Sequence, residues 1–120
     1  MHESVNKLIS IQEEINSKNS KTKIIAVSKT FPLSQIMPLI DYGHIHFGEN
    51  KVQESIEKWA EFKILNSKIK LHMIGKLQSN KVKQAVDLFD YIHSVDNLKL
   101  AEKISNETLK KKRTLKFLFK

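Results

Sequence analysis

Residues Lys70 to Asp96 read KLHMIGKLQSNKVKQAVDLFDYIHSVD, and this stretch decides the fold. KLHMIG is short and apolar, and reads as a buried strand. From Ser79, SNKVKQAVDLFD sets Val82, Ala85, Val86 and Phe89 at i, i+3, i+4 and i+7, the spacing of one helix face. YIHSVD then returns to a β-branched strand pattern. A strand, a helix and a second strand make one βαβ unit, whose strands run parallel.

The same alternation extends both ways. Upstream, KIIAVSK (Lys23–Lys29) and HIHFGE (His44–Glu49) read as strands. SQIMPLIDYG (Ser34–Gly43) reads as a short helix, with Ser34 as its cap, Gly43 as its stop and Pro38 as a strain within it. NKVQESIEKWAEFKIL (Asn50–Leu65) is a crossover helix burying Val52, Ile56, Trp59 and Ala60. An opening helix, SVNKLISIQEEI, sets Val5, Leu8, Ile11 and Ile15 to one side. Downstream, Asp96 is expected to cap the helix NLKLAEKISNETL, and TLKFLF (Thr114–Phe119) begins a fifth strand. Strand starts recur roughly every 20 to 26 residues, about one βα unit. Two architectures share that pattern, the open doubly wound sheet and the (β/α)8 barrel. No GxGxxG follows the first strand, which weakens the dinucleotide-binding form of the open sheet. A barrel needs ~250 residues, about twice this chain, so the fifth strand reads as cut off within a longer domain.

Composition narrows the function classes. The 120 residues contain no cysteine, so a disulfide framework, a zinc-thiolate site and a thiol nucleophile are excluded. No run has the length of a membrane span and no secretory signal opens the chain, so a cytoplasmic protein without a membrane partner is expected. The net charge of +8 is concentrated in KKKRTLKFLFK (Lys110–Lys120), which has six basic and no acidic residues. Arg113 is the only arginine, and lysine lacks the planar fork that suits base-edge readout. Specific nucleic-acid binding is not expected. A binder using the basic tail remains a rival reading, recognisable by salt-dependent affinity.

In parallel βα folds, functional groups gather where the strands end and the βα loops begin. Those positions hold Ser28, Lys29 and Thr30; Gly48, Glu49 and Asn50; Gly75 to Lys81; and Ser94, Asp96 and Asn97. Lys29 is the most specific of them. A lysine desolvated among apolar strand neighbours loses charge and becomes a nucleophilic amine able to form an imine with an aldehyde. On position alone the favoured reading is that it snorkels to solvent at the strand end, as such lysines commonly do. Asn50 either caps the following helix or donates its amide to a ligand, and Glu49 either meets the helix dipole or faces the rim. GKLQSNK lacks the spacing of a phosphate loop; Ser79 is expected to cap a helix there, and Lys76 and Lys81 could attract an anion to it. His44 and His46 share one strand face, with His72 and His93 on neighbouring strands. Convergence on a metal is one reading, and polar residues at the opposite end of the strands from the rim is the preferred one.

AVSKT, HFGENKVQE and HMIGKLQSNK, in this order and at this separation, together resemble the pyridoxal phosphate homeostasis proteins, the YggS-like or alanine racemase N-terminal domain-like group. IHSVD matches the next strand of the same pattern. The resemblance implies a partial (β/α)8 TIM barrel of the alanine racemase type: an N-terminal helix, about four βα units and a truncated fifth strand, with residues 1–120 as the incomplete N-terminal half of one domain. It implies pyridoxal 5'-phosphate as cofactor, held as a reversible Schiff base on Lys29 with Asn50 beside it. Such a protein buffers or delivers the aldehyde, with apo enzymes that use the cofactor as acceptors, and turns over no substrate. Later strands of that family supply the main phosphate-binding loops and an arginine facing the pyridine nitrogen, so the resemblance implies weak binding here. A racemase or decarboxylase of the same barrel type is the catalytic alternative; it needs acid/base groups on both faces of the substrate carbanion.

Overall fold

A computed structural model describes residues 2–113 and 116–119 of the chain. Five strands, β1 (Ala26–Val27), β2 (His46–Glu49), β3 (Lys70–Met73), β4 (Tyr91–Val95) and β5 (Lys116–Phe119), form one sheet in the order β1-β2-β3-β4-β5. All four pairings are parallel. Helices α1 (Glu3–Ser17), α2 (Leu33–Tyr42), α3 (Val52–Leu65), α4 (Val82–Leu88) and α5 (Leu98–Lys110) precede or connect them, with a single 3-10 turn at Ser79–Lys81 leading into α4. A doubly wound sheet reverses its strand order at a switch point. These five strands do not reverse.

Strand alternation divides the sheet into two chemically different faces. Ala26 pairs with Phe47, Phe47 with Leu71, and Met73 with Ile92, all on the side covered by helices. There Phe47, Trp59, Leu71, Val82, Ala85, Val86, Phe89, Ile92 and Ile104 are fully buried in one core. Trp59 of α3 lies 5.3 Å from the Phe47 ring and 6.1 Å from that of Phe62. The other face carries Val27, Gly48, His72 and Tyr91 in matching register. Gly48 packs closely there: a Cβ would meet the Ile25 and Ile74 side chains at 3.1 and 3.2 Å, and they would have to give. Val27 is 51% exposed on this helix-free face.

Several local expectations change. The first strand is two residues long, not seven, because it is an edge with a partner on one side only. His44 lies before β2 and not on it; its Nε2 meets the backbone oxygen of His46 at 2.8 Å. In α1 only Val5 is fully buried; Leu8 and Ile15 are half-buried and Ile11 is half exposed, so the apolar stripe is only partly covered. Ser55 joins Val52 and Trp59 on the buried side of α3, its hydroxyl donating to the Lys51 carbonyl, while Ile56 packs against the core half-buried. Pro38 does sit inside α2, and Gly43 ends that helix at φ +109°. None of the caps expected at Ser34, Asn50, Ser79 or Asp96 forms. The residues at those boundaries are Pro32, Lys51, Gln78 and Asn97. Asn97 alone among these four caps through its side chain, accepting from the Leu100 amide at 2.8 Å. Thr114 and Leu115, the expected start of the fifth strand, lie outside the described residues, as does Lys120.

The basic tail is drawn into the fold as far as Arg113. Arg113 donates to Asp90 and to the Val86 carbonyl, and Lys111 pairs with Asp87 at 2.7 Å and donates to the Lys83 carbonyl. Asp90 also takes the ammonium of Lys63 at 2.6 Å and the amide of Leu71 at 2.9 Å, tying α3, β3 and the α4–β4 junction together. Burial lowers the pKa of Lys63, against the opposing pull of Asp90. Among the described residues, no helix is long and apolar enough to cross a membrane.

Candidate functional site at the carboxyl ends of the strands

Lys29 occupies the turn that follows β1, and its side chain is exposed. Among the described residues nothing pairs with its amine. Its amine reaches solvent beside Val27, which is itself half exposed. The backbone beneath Lys29 is, by contrast, firmly held. Ser28 is buried, its amide donates to the Gly48 carbonyl at 3.0 Å, and its own carbonyl accepts from the Phe31 amide at 3.0 Å.

Glu49 fixes this turn from the side. At the end of β2 it is 2% exposed, and its Oε2 accepts from Ser28 Oγ at 2.5 Å, Lys58 Nζ at 2.8 Å and Trp59 Nε1 at 2.9 Å. Lys58 Nζ donates in addition to the Ser28 carbonyl. A carboxylate this deep is tolerable only when paired and hydrogen-bonded, and all three donors converge on one oxygen. Glu49 was expected at the dipole of the next helix; instead it ties that helix to the preceding strand turn. The sequence pattern marks Trp59 as a core aromatic and does not single out Lys58. A buried indole N–H needs an acceptor, and that was the available signal.

Asn50 is half-buried where β2 ends, directly against the start of the β3–α4 loop. A Cβ on Gly75 would lie 2.3 Å from both the backbone and the side-chain oxygen of Asn50, so only glycine allows this approach. Ser94 Oγ donates to the Gly75 carbonyl at 2.6 Å, which joins a third strand end to the same spot. Asn50, Lys51, Gln53, Met73, Lys76, Gln78 and Lys81 line an open cleft of about 420 Å³ beside it. Strand ends two, three and four are thus brought together. Ser28 and Glu49 join strand ends one and two.

At the opposite end, on the helix-free face, three histidines form a row. His46 Nδ1 lies 2.9 Å from His72 Nε2, and His72 Nδ1 lies 2.8 Å from His93 Nε2. Tyr91 stacks on His72 with ring centroids 4.3 Å apart. Burial, followed by the neighbouring His93 and His46, pushes the pKa of His72 down to about 4. Burial likewise lowers those of His44 and His46. Both ring nitrogens of His72 meet neighbouring rings, and His46 and His93 each contribute one nitrogen to the row. Among the described residues no group of three His, Cys, Asp or Glu is arranged to hold a metal ion.

The parallel, sequentially ordered α/β sheet carries an exposed lysine and a polar cleft at its carboxyl rim, the end at which folds of this class build small-molecule sites. No protein-family model matches the chain. Pyridoxal phosphate homeostasis proteins do match it: that of Haemophilus influenzae is 37% identical over 95 residues, 79% of this chain and 40% of the relative. That of Escherichia coli K12 is 41% identical over 85 residues, 70% of this chain and 36% of the relative. The solved structure of PipY from Synechococcus elongatus PCC7942, with PLP bound, superposes at a TM-score of 0.74 with 42% identity. It covers 88% of this chain and 51% of its own. Over the part they share, the chain is a homologue of the pyridoxal phosphate homeostasis proteins. It spans less than half the length of these two curated relatives.

Proposed function

We propose that this chain binds pyridoxal phosphate through Lys29 and takes part in keeping the free aldehyde low, as a carrier without substrate turnover. Pyridoxal phosphate supplies an aldehyde that condenses reversibly with a primary amine. The carrying observation is the pairing of an exposed, unpartnered amine on Lys29 with a backbone turn held by buried bonds at Ser28. Such a lysine is reachable by a small aldehyde, yet its Cα stays in one place. Asn50, wedged against Gly75, would present its amide to a ligand at the same rim. The residues fit the aldehyde end of the cofactor, and the cleft with Lys51, Lys76 and Lys81 offers an electropositive border for its phosphate.

The fold reading goes with it. In this proposal residues 1–120 are the first part of a (β/α)8 barrel of the alanine racemase type, the helix-free face being the barrel interior. Strand order without reversal, helices confined to one face, and a span of about half of PipY support that reading. The histidine row and Gly48 then belong to interior layers, and Lys29 and Asn50 to the mouth, where barrel sites are built.

Absorbance titration of the chain with pyridoxal phosphate tests the proposal. The free-aldehyde band should convert to the band of a lysine adduct with saturation near one equivalent. Lys29→Ala should leave only the weak, non-saturating drift of surface lysines. Equal titrations of the two proteins would reject Lys29 as the anchor.

A further inference from the structure

We infer that Glu49 and Lys58 form a clamp that positions Lys29, setting the amine's reactivity from behind the turn without touching a ligand. The inference rests on the reading of Lys29 as the aldehyde-binding amine, and it adds residues of α3 to that site. Four bonds define the clamp. Ser28 Oγ donates to Glu49 Oε2 at 2.5 Å, Lys58 Nζ donates to the same oxygen and to the Ser28 carbonyl, and Trp59 Nε1 donates to it at 2.9 Å. The Ser28 hydroxyl and carbonyl are thereby both fixed, one residue before Lys29, and the Phe31 amide closes the turn onto that same carbonyl.

Burying an ion pair is costly, and packing apolar residues in its place is often as stable or more so. Its specific contribution here is geometric. Glu49 and Lys58 side chains are 2% and 12% exposed, and both reach one residue, Ser28. An apolar core would hold α3 on the sheet as well, but it would leave the Ser28 carbonyl held by the Phe31 amide alone. Lys29 is a long flexible side chain on an exposed surface, so the position of its Cα is the only part of its approach the fold can control. Small displacements of a reacting group are expensive in rate.

Three variants of the full chain separate the possibilities: Ser28→Ala, which leaves the ion pair intact; Glu49→Gln; and the charge-balanced double variant Glu49→Gln with Lys58→Met. Each is compared with wild type at a temperature where circular dichroism shows it folded. Two readouts are taken. The first is amide hydrogen exchange at Ser28 and Phe31, referenced to the Asp90 amide, which donates to the Leu71 carbonyl at 2.9 Å on another strand pair. The second is the rate of borohydride-trapped pyridoxal phosphate adduct at Lys29, resolved by peptide mapping from adducts at other lysines.

The clamp predicts exchange at Phe31 at least about tenfold faster in the double variant, with the Asp90 amide unchanged. It also predicts a loss of about tenfold in the Lys29 adduct rate while other lysines react as before, with Ser28→Ala intermediate. Unchanged exchange in folded variants overturns the clamp, whichever lysine is labelled. Faster exchange with an unchanged Lys29 adduct rate overturns its role in positioning the amine. A wild type with no preference for Lys29, but with the predicted exchange response, rejects the pyridoxal phosphate reading and upholds the clamp on the turn.

Discussion

Replacing His72 by phenylalanine should make the chain less sensitive to acid even as it weakens it at neutral pH. The ring of His72 is buried between His46 and His93 and stacked on Tyr91, and its pKa is lowered from 6.5 to about 4. The folded state therefore binds this proton less readily than the unfolded state does. Stability from the neutral ring is present above about pH 6.5 and is lost as pH falls toward about 4. At about pH 4.5 the unfolded imidazole is almost fully charged and the folded one mostly neutral, a loss of roughly 2.5 kcal/mol relative to neutral pH. Solvent partly screens the site and the row can share one proton, so about 1–2 kcal/mol is the working figure. Phenylalanine keeps the stack but forfeits two ring–ring hydrogen bonds, costing about 1–2 kcal/mol at neutral pH. Urea unfolding followed by fluorescence of Trp59, the single tryptophan and fully buried, measures both. The deficit of the variant should shrink from about pH 7 to pH 4.5 and approach zero, with His44 and His46 leaving a residual slope in both proteins. A deficit constant across that range would refute the reasoning.

Other perturbations follow from single contacts. Lys58→Met leaves Glu49 buried without its counter-ion and should cost about 3–5 kcal/mol in chemical denaturation; adding Glu49→Gln should restore most of that loss. Gly75→Ala drives a methyl to 2.3 Å from the backbone of Asn50, so the loop must shift, at about 1–3 kcal/mol and with altered chemical shifts for the Asn50 amide. Trp59→Phe removes the indole donor to Glu49 together with some packing, and a loss of about 1–3 kcal/mol in urea unfolding is expected.

How far the sequence could be read depended on whether a signal was local. The α4 stripe of Val82, Ala85, Val86 and Phe89 is fully buried, because a helix packed against a parallel sheet turns one face to it and the spacing reports that face. The stripe of α1 has the same spacing, yet Ile11 stays half exposed: periodicity names a face but not what covers it. Caps differ from expectation at Ser34 and Ser79 because Pro32 and Gln78 stand at those helix starts and make no side-chain cap, and one residue of register decides between Asp96 and Asn97. Lys29 and Asn50 could be placed at strand ends from the alternation alone. The exposure of Lys29 agrees with the snorkelling that a strand-end position favours, although position alone does not say what lies over the helix-free face. The bonds of Glu49 to Lys58 and Trp59 span about two helical turns plus a strand end, and nothing in a linear pattern marks which lysine folds back.

The account turns on Lys29, and reductive trapping tests it most directly. Chain incubated with limiting pyridoxal phosphate, reduced with borohydride and digested, should yield one dominant phosphopyridoxyl peptide carrying Lys29, and that peptide should vanish in Lys29→Ala without a compensating rise elsewhere. Label spread over Lys51, Lys76, Lys81 and the surface lysines, with Lys29 no more modified than they are, would contradict it.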